Sequence, residues 1–263
     1  MKKTIRRITP AMLVLLALAT LSFMPADSVK LRLKPQQGKT YTATSKANMM
    51  TMMEVQGQSM SMTQVMETRQ SFTAKEVSDA QSVIETQVEA IKMSISQMGM
   101  KLEYDSENPE KTSPMLKGQT KEIENNIKKP ATVTYDALGK LAEDSAKIEM
   151  SQLGNVIIEL PENELSVGSK WNAEKTQNIS GTDMKVNIEY TVTAISKKSV
   201  DLSFKGTVES TEITGGYDGT ASINPQTGLI MSSTTKTNIS MTISEQGLSI
   251  PATIAGTTTM EVK

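Results

Sequence analysis

Apolar and polar residues alternate along this chain in segments that exceed ten residues. Val29, Leu31 and Leu33 alternate with Lys30, Arg32 and Lys34. Val83, Glu85 and Gln87 alternate with Ile84, Thr86 and Val88. A period of two places successive side chains on opposite faces of an extended strand. Strands commonly run about 5–6 residues, and twist accumulates along longer ones. The expectation is a mainly β fold, with α+β the alternative: a long antiparallel curled sheet or partial barrel with one wet face.

Turn signals divide the alternating segments. Gly38 precedes a segment from Tyr41 to Val55, Gln56–Ser59 turns it, and Met60–Val77 returns. Ser78-Asp79 turns again into Ser82–Ile95, and a short strand is expected over Met98–Tyr104. Asp105–Pro114 reads as a polar loop. Ile123 and Ile127, four apart, predict one helix over about 115–128. Strands resume at Ala131–Tyr135 and Ile148–Leu160, with a turn at Asp136–Gly139 between them. The remainder reads as strands at Lys170–Ile179, Met184–Ile195, Ser199–Ile213, Thr220–Ile223, Leu229–Met241, Leu248–Ile250 and Thr253–Val262. Turns are expected at Ser180-Gly181, Lys197-Lys198, Gly215-Gly216, Pro225–Gly228 and Gln246-Gly247.

Three features recur in order. Gly38–Tyr41 (GKTY) resembles Gly168–Trp171 (GSKW). The segment from Phe72 resembles the segment from Tyr190: an aromatic, a short strand, a polar turn, then Ser-Val and another strand. Thr134–Leu141 resembles Ile223–Ile230, each a hairpin with a glycine suited to positive φ. The expected organisation is a first β unit over 27–160, with the helix inserted, and a second over 161–263. The two would be related halves, packed together or merged into one sheet.

Composition removes several chemistries. The chain contains no cysteine and no histidine. That excludes disulfides, thiolate zinc sites, a cysteine nucleophile, a Ser-His-Asp triad and a histidine acid or base. Met1–Arg7 carries Lys2, Lys3, Arg6 and Arg7, and an apolar run from Ala11 to Leu21 follows. That is the pattern of a signal peptide over residues 1–26, and the run is too short to span a bilayer. Removing its four basic residues from the 28 leaves 24 against 29 acidic residues, a net charge of -5. The charges are interspersed, so nucleic-acid binding is not expected. The expected location is the periplasm or the exterior, with no membrane span after the leader is removed.

Methionine is abundant, at 19 residues. Met49, Met50, Met52, Met53, Met60, Met62 and Met66 fall within one candidate hairpin, and Met93, Met98 and Met100 follow. Thioethers pack irregular cores, and they also form adaptable apolar surfaces. The candidate apolar-ligand set is Met50, Met52, Met60, Met62, Met66 and Met93. The alternative is a soft-metal site for Cu(I), with Met60, Met62, Met98 and Met100 as ligands. Asp105, Glu107 and Glu110 lack the EF-hand pattern and read as a solvated loop. Glu162 and Glu164 are the carboxylates a hydrolase would need, placed in a polar linker. Gly215–Gly219 has no following helix and no Gly-Lys-Ser/Thr, so it is not a phosphate loop.

The leader, the LRLKPQQGKTY segment at Leu31–Tyr41, the Met/Gln/Ser-rich hairpin, MKLEYDSENPEKTSPM at Met100–Met115 and ELPENELSVGSKW at Glu159–Trp171 together carry a resemblance. The chain resembles a family of exported proteins of unknown function from Bacteroidetes and related bacteria. The resemblance implies an envelope or secreted β-rich protein, and it brings no catalytic residues and no cofactor. The expected function is non-catalytic binding of a lipid, another apolar ligand or an envelope component. A structural or protein-partner-binding envelope role, a carboxylate-based hydrolase and Met-based copper binding are the alternatives.

Overall fold

The computed structural model describes residues 28–55, 57–118, 120–142, 156–179, 182–210, 213–245 and 248–263. The expected signal peptide, most of the expected Ile148–Leu160 strand and the Ser180-Gly181 and Gln246-Gly247 turns lie outside them. Among the described residues eleven strands form one sheet: β1 (Thr40–Val55), β2 (Gln58–Val77), β3 (Gln81–Gln97), β4 (Met100–Asp105), β5 (Ala131–Asp136), β6 (Lys170–Ile179), β7 (Thr182–Ile195), β8 (Val200–Glu209), β9 (Ile213–Ile223), β10 (Ile230–Glu245) and β11 (Leu248–Val262). The order is β4-β3-β2-β1-β11-β10-β9-β8-β7-β6, and β5 pairs with the other end of β3. Every ladder is antiparallel. The pairing of β1 with β11 joins the chain's two ends at the middle of the sheet.

The sheet curls because two extended segments thread its interior. Leu33 N–H donates to Ala137 O, on the turn after β5, and Lys34 N–H donates to Thr227 O, on the turn between β9 and β10. In a flat sheet β5 and β10 lie five strand steps apart, roughly 24 Å. Two residues with Cα atoms ~3.8 Å apart can reach both turns only if the sheet bends back on itself. The second segment closes the remaining gap. Trp171 Nε1 on edge strand β6 donates to Glu159 O at 2.9 Å, and Leu160 N–H donates to Leu138 O beside β5 at 2.7 Å.

These interior segments correct two strand expectations. Val29–Lys34 and Val156–Leu160 keep their alternation, with Leu31, Leu33, Val156, Ile158 and Leu160 all buried. Neither is a ladder strand; Val29 forms only an isolated bridge with Leu165. Both fill the closed end of the curl with residues of β1, β3, β5, β7 and β8. The void left there, beside Tyr41, Phe72 and Leu229, is about 10 Å³, room for at most one water.

Three other expectations change. The helix over 115–128 is replaced by a 3₁₀ turn at Pro114–Leu116 and a six-residue helix α1 (Lys121–Asn126). Gly118 interrupts the helical segment, where glycine costs about 1 kcal/mol relative to alanine, and Met115 stays exposed at 65%. Gly215-Gly216 lies inside β9 rather than in a turn. A Cβ at either residue would press on a backbone carbonyl of the neighbouring strand. Finally, Leu248–Ile250 and Thr253–Val262 are one strand running through Pro251. Its pairing with β1 starts one residue later, at Ala252↔Met53, so the missing N–H removes no bond on that side.

The two halves of the chain repeat their local bonding. Tyr41 pairs with Phe72, and Trp171 pairs with Tyr190. Gly38 N–H donates to Ala74 O, and Gly168 N–H donates to Val192 O. Each returning strand has a register shift, between Ala74 and Glu76 and between Val192 and Ala194. The turns that follow are built alike, with Ser78 N–H donating to Gln81 O and Ser196 N–H to Ser199 O. Gly139 and Gly228 both have positive φ. Gly139 lies against Ile158 O of one interior segment and Gly228 against Arg32 O of the other, where a side chain would collide.

Candidate apolar ligand site

Register assigns each side chain to a face. Residues directly opposed in a ladder share a face, so one row can be followed across ten strands. Trp171, Tyr190, Phe204, Gly219, Thr235, Thr258, Ala47, Met66, Met93 and Tyr104 form such a row on the inner face. The next row toward the hairpin tips contains Ile188, Gly206, Tyr217, Gly256, Met49, Gln64, Ile95 and Leu102.

The two halves of this face differ. Across β6–β9 it is core: Val186, Ile188, Tyr190 and Val208 are buried, and Phe204, Tyr217 and Trp171 pack against them, whereas Thr235 and Thr237 of β10 and Ile254 and Thr258 of β11 are half-buried. Trp171 stacks on Tyr190 at 4.9 Å, Tyr190 meets Phe204 at 6.0 Å, and Phe204 meets Tyr217 edge-on at 6.3 Å. Glycines make room for this ladder. The Tyr217 ring lies over Gly206 and the Phe204 ring over Gly219. Burial pushes the Tyr217 phenol up to about 12 and raises that of Tyr190 further, helped by Tyr217 and Glu159.

In the first half the same face is a wall of thioethers. Met49 and Met53 of β1, Met60 and Met62 of β2 and Met93 of β3 are half-buried, and Met66 is exposed at 36%. Met53 is directly opposite Met60, and Met66 directly opposite Met93. None of the six belongs to the buried core cluster or to the side chains packed against it. Met49 Sδ lies where a Cβ of Gly256 would project. Gln64 Nε2 donates to Met93 Sδ at 3.3 Å, which gives the amide a partner among the thioethers; Thr51 and Gln97 share the same face.

Of the six residues proposed from sequence, Met60, Met62, Met66 and Met93 meet on this wall. Met50 and Met52 do not. They share their face with Lys46, Asn48 and Glu54, and they are 43% and 48% exposed on the outside of the sheet. Sequence reading passed over Met49 and Met53 because β1 carries methionine on both faces, and only the β11 and β2 registers tell which face turns inward. Of the alternative metal set, Met98 sits in the β3–β4 turn at 77% exposure. Met100 shares a row with Met62, with Gln97 between them.

The outer face is polar and ionically paired. Lys46 Nζ meets Glu67 at 2.7 Å, Arg69 meets Glu107 at 2.6 Å, and Lys170 meets Glu189 at 2.9 Å. Lys46 bonding and charge hold the Glu67 carboxyl below its ordinary value, and Arg69 and Lys92 do the same for Glu107. A groove of about 350 Å³ at the β3–β4 edge is lined by residues of both faces: Val65, Glu67, Lys92, Ser94, Glu103, Asp105 and Lys111, together with Met93 and Tyr104 of the inner row. Glu162 and Glu164, the hydrolase carboxylates, lie at the end of the second interior segment. Glu162 contributes its backbone O to Arg32, and Glu164 accepts from Ser28 Oγ. Among the described residues no group of three Asp or Glu could hold a metal ion. No described helix is long and apolar enough to cross a membrane.

No protein-family model and no curated protein matches the chain. Solved structures do. The chain is similar to a lipovitellin structure titled for lipid–protein interactions, with a TM-score of 0.50 and 9% identity over 87% of this chain. It spans 25% of that lipovitellin chain. That likeness concerns the fold alone. An outer-membrane channel from Pseudomonas putida F1 aligns over 88% of this chain and 98% of its own, at 9% identity and a TM-score of 0.28. The translocator domain of the autotransporter NalP from Neisseria meningitidis aligns over 95% of both chains, at 8% identity and a TM-score of 0.23. Scores that low do not establish a shared fold.

Proposed function

We propose that this protein is a non-catalytic binder of apolar ligands of the lipid-chain class, held on the thioether wall of β1–β3. The observation that carries the reading is the contrast between the two halves of one inner face. Across β6–β9 the face is packed as core, while the methionines of β1–β3 stand outside the core and half open to solvent. Burying such apolar surface under a ligand is worth about 25 cal/mol per Å². Unbranched thioethers adapt to chains of varying shape.

Polarity favours a water-borne carrier over a membrane-spanning barrel. A membrane barrel turns its apolar band outward, whereas here Lys46, Glu67, Lys205, Asp218 and Lys236 lie on the outer face. The lipovitellin likeness supports a curled sheet of this kind as a lipid-compatible scaffold. The charged and apolar pattern of residues 1–26 supports an extracytoplasmic location.

Native mass spectrometry of the protein purified from its own cell envelope tests the reading. The expected result is extra mass that organic extraction removes and that matches a lipid or other apolar molecule. Bare polypeptide mass, together with no uptake of a fluorescent acyl-chain probe, would overturn it.

A further inference from the structure

We propose that Met53, Met60 and Met62 form a soft-metal site at the tip of the β1–β2 hairpin, and that it takes Cu(I). The inference goes beyond apolar binding, because it depends on sulfur rather than on hydrophobicity. Met53 is directly opposite Met60, and Met62, which is opposite Thr51, is the diagonal neighbour of Met53 across the ladder. Opposed Cβ atoms in a ladder lie about 4.5–5.5 Å apart and diagonal ones about 7–8 Å. Three flexible thioethers standing on such a triangle can converge on one ion. All three are half-buried and outside the packed core, so they are within reach of an ion from solvent.

The surroundings select the metal. Val55, Thr51, Gln97 and Ala252 are the neighbours on the same face, while Glu54 and its partner Ser59 point the other way. Among the described residues no carboxylate is directly opposite or diagonal to these three on this face, so hard cations find no ladder partner beside them. Thioethers without charge favour soft Cu(I).

The test uses the full chain with Cu(I) under ascorbate, competed against a chromogenic Cu(I) chelator. The wild type is expected to retain one equivalent. The M53L/M60L/M62L variant is expected to bind at least about tenfold more weakly, a change of about 1.4 kcal/mol. M50L/M52L, on the outer face, is expected to match the wild type. Leucine keeps each position apolar and close to methionine in volume, so the circular dichroism spectrum and urea midpoint of the triple variant should match the wild type, which separates lost sulfur from a lost fold. Failure of the wild type to hold Cu(I), or equal retention by the triple variant, would overturn the site. Loss of probe uptake in the wild type would overturn only the apolar-ligand reading.

Discussion

Trp171 on one edge of the sheet donates its indole N–H to Glu159 O, and the next residue of that segment, Leu160, donates to Leu138 O beside the opposite edge. A single dipeptide thus bridges strands that a flat sheet would hold nine steps apart. Closure at this end is made by interior segments and not by a ladder. The stability of the curl should therefore reside in the contacts of those segments.

Arg32 tests that conclusion. Its guanidinium donates to Leu31 O at 2.7 Å, Pro161 O at 3.1 Å and Glu162 O at 3.0 Å, so it ties the first interior segment to the end of the second. Charged hydrogen bonds are worth about 1.5–3 kcal/mol. Arg32→Ala should lower the unfolding free energy by an amount in that range, read from urea unfolding as a lower midpoint at unchanged slope, and Arg32→Lys should recover only part of it, because an ammonium cannot span the same carbonyls.

Gly206 and Gly219 are sites where any side chain must displace an aromatic ring. A Cβ at Gly206 would enter the Tyr217 ring, and one at Gly219 would meet both the Phe204 ring and Thr234 O. Gly206→Ala and Gly219→Ala should each cost about 1–3 kcal/mol by overpacking. Gly118→Ala, with open space at its Cβ and no positive φ, should be neutral or slightly stabilising. Denaturant unfolding of the three variants checks the order.

High pH should unfold the protein through its buried phenols. Burial pushes Tyr135 from 10.0 to about 12 and Tyr217 to about 12. The unfolded chain releases these protons first, so stability is level below about pH 10 and falls as the pH rises toward 12. Urea midpoints at pH 8 and pH 11, read beside the phenolate absorbance, check this. An absorbance titration centred near 10 in the folded protein would contradict it.

Tyr104 is 2% exposed, and its hydroxyl has no hydrogen-bond partner among the described residues. Leaving a buried hydroxyl unpaired costs about 1–3 kcal/mol. Tyr104→Phe removes the group and keeps the ring, so it should stabilise the fold by about 1 kcal/mol. A lower midpoint for this variant would show that the hydroxyl is satisfied after all.

The thioether wall should respond to polarity more than to shape. Converting Met60, Met66 and Met93 together to serine should weaken acyl-probe uptake roughly tenfold or more, since each loses apolar surface. The corresponding leucine variant should stay close to the wild type. Fluorescence titration with one acyl probe compares the two.

Much of the fold was legible in local pattern. The hairpin at Gly57, the turn at Ser78, and the strands through Phe72, Tyr190 and Phe204 follow from alternation and turn chemistry, which act over a few residues. The likeness of Gly38–Tyr41 to Gly168–Trp171 was also visible, and the two share their hydrogen-bond pattern. The interior segments were misread because Leu31 and Leu33, or Ile158 and Leu160, alternate in the same way whether the neighbour is a ladder strand or the inside of a curl. Gly215-Gly216 misled for a related reason: glycine serves a turn and a close approach between strands equally well.

The sequence by itself determined that the chain would make long antiparallel strands with one apolar face, and that no cysteine or histidine chemistry could occur. Those properties depend on side-chain type and on a period of two, which the chain carries locally. Only the tertiary structure decided which methionines share a surface. Met50 and Met53 are three residues apart and face opposite ways, while Met53 and Met60 are directly opposed across a hairpin. Which face turns inward was set by distant contacts: the β11 ladder on β1, and two interior segments that hold the sheet curled.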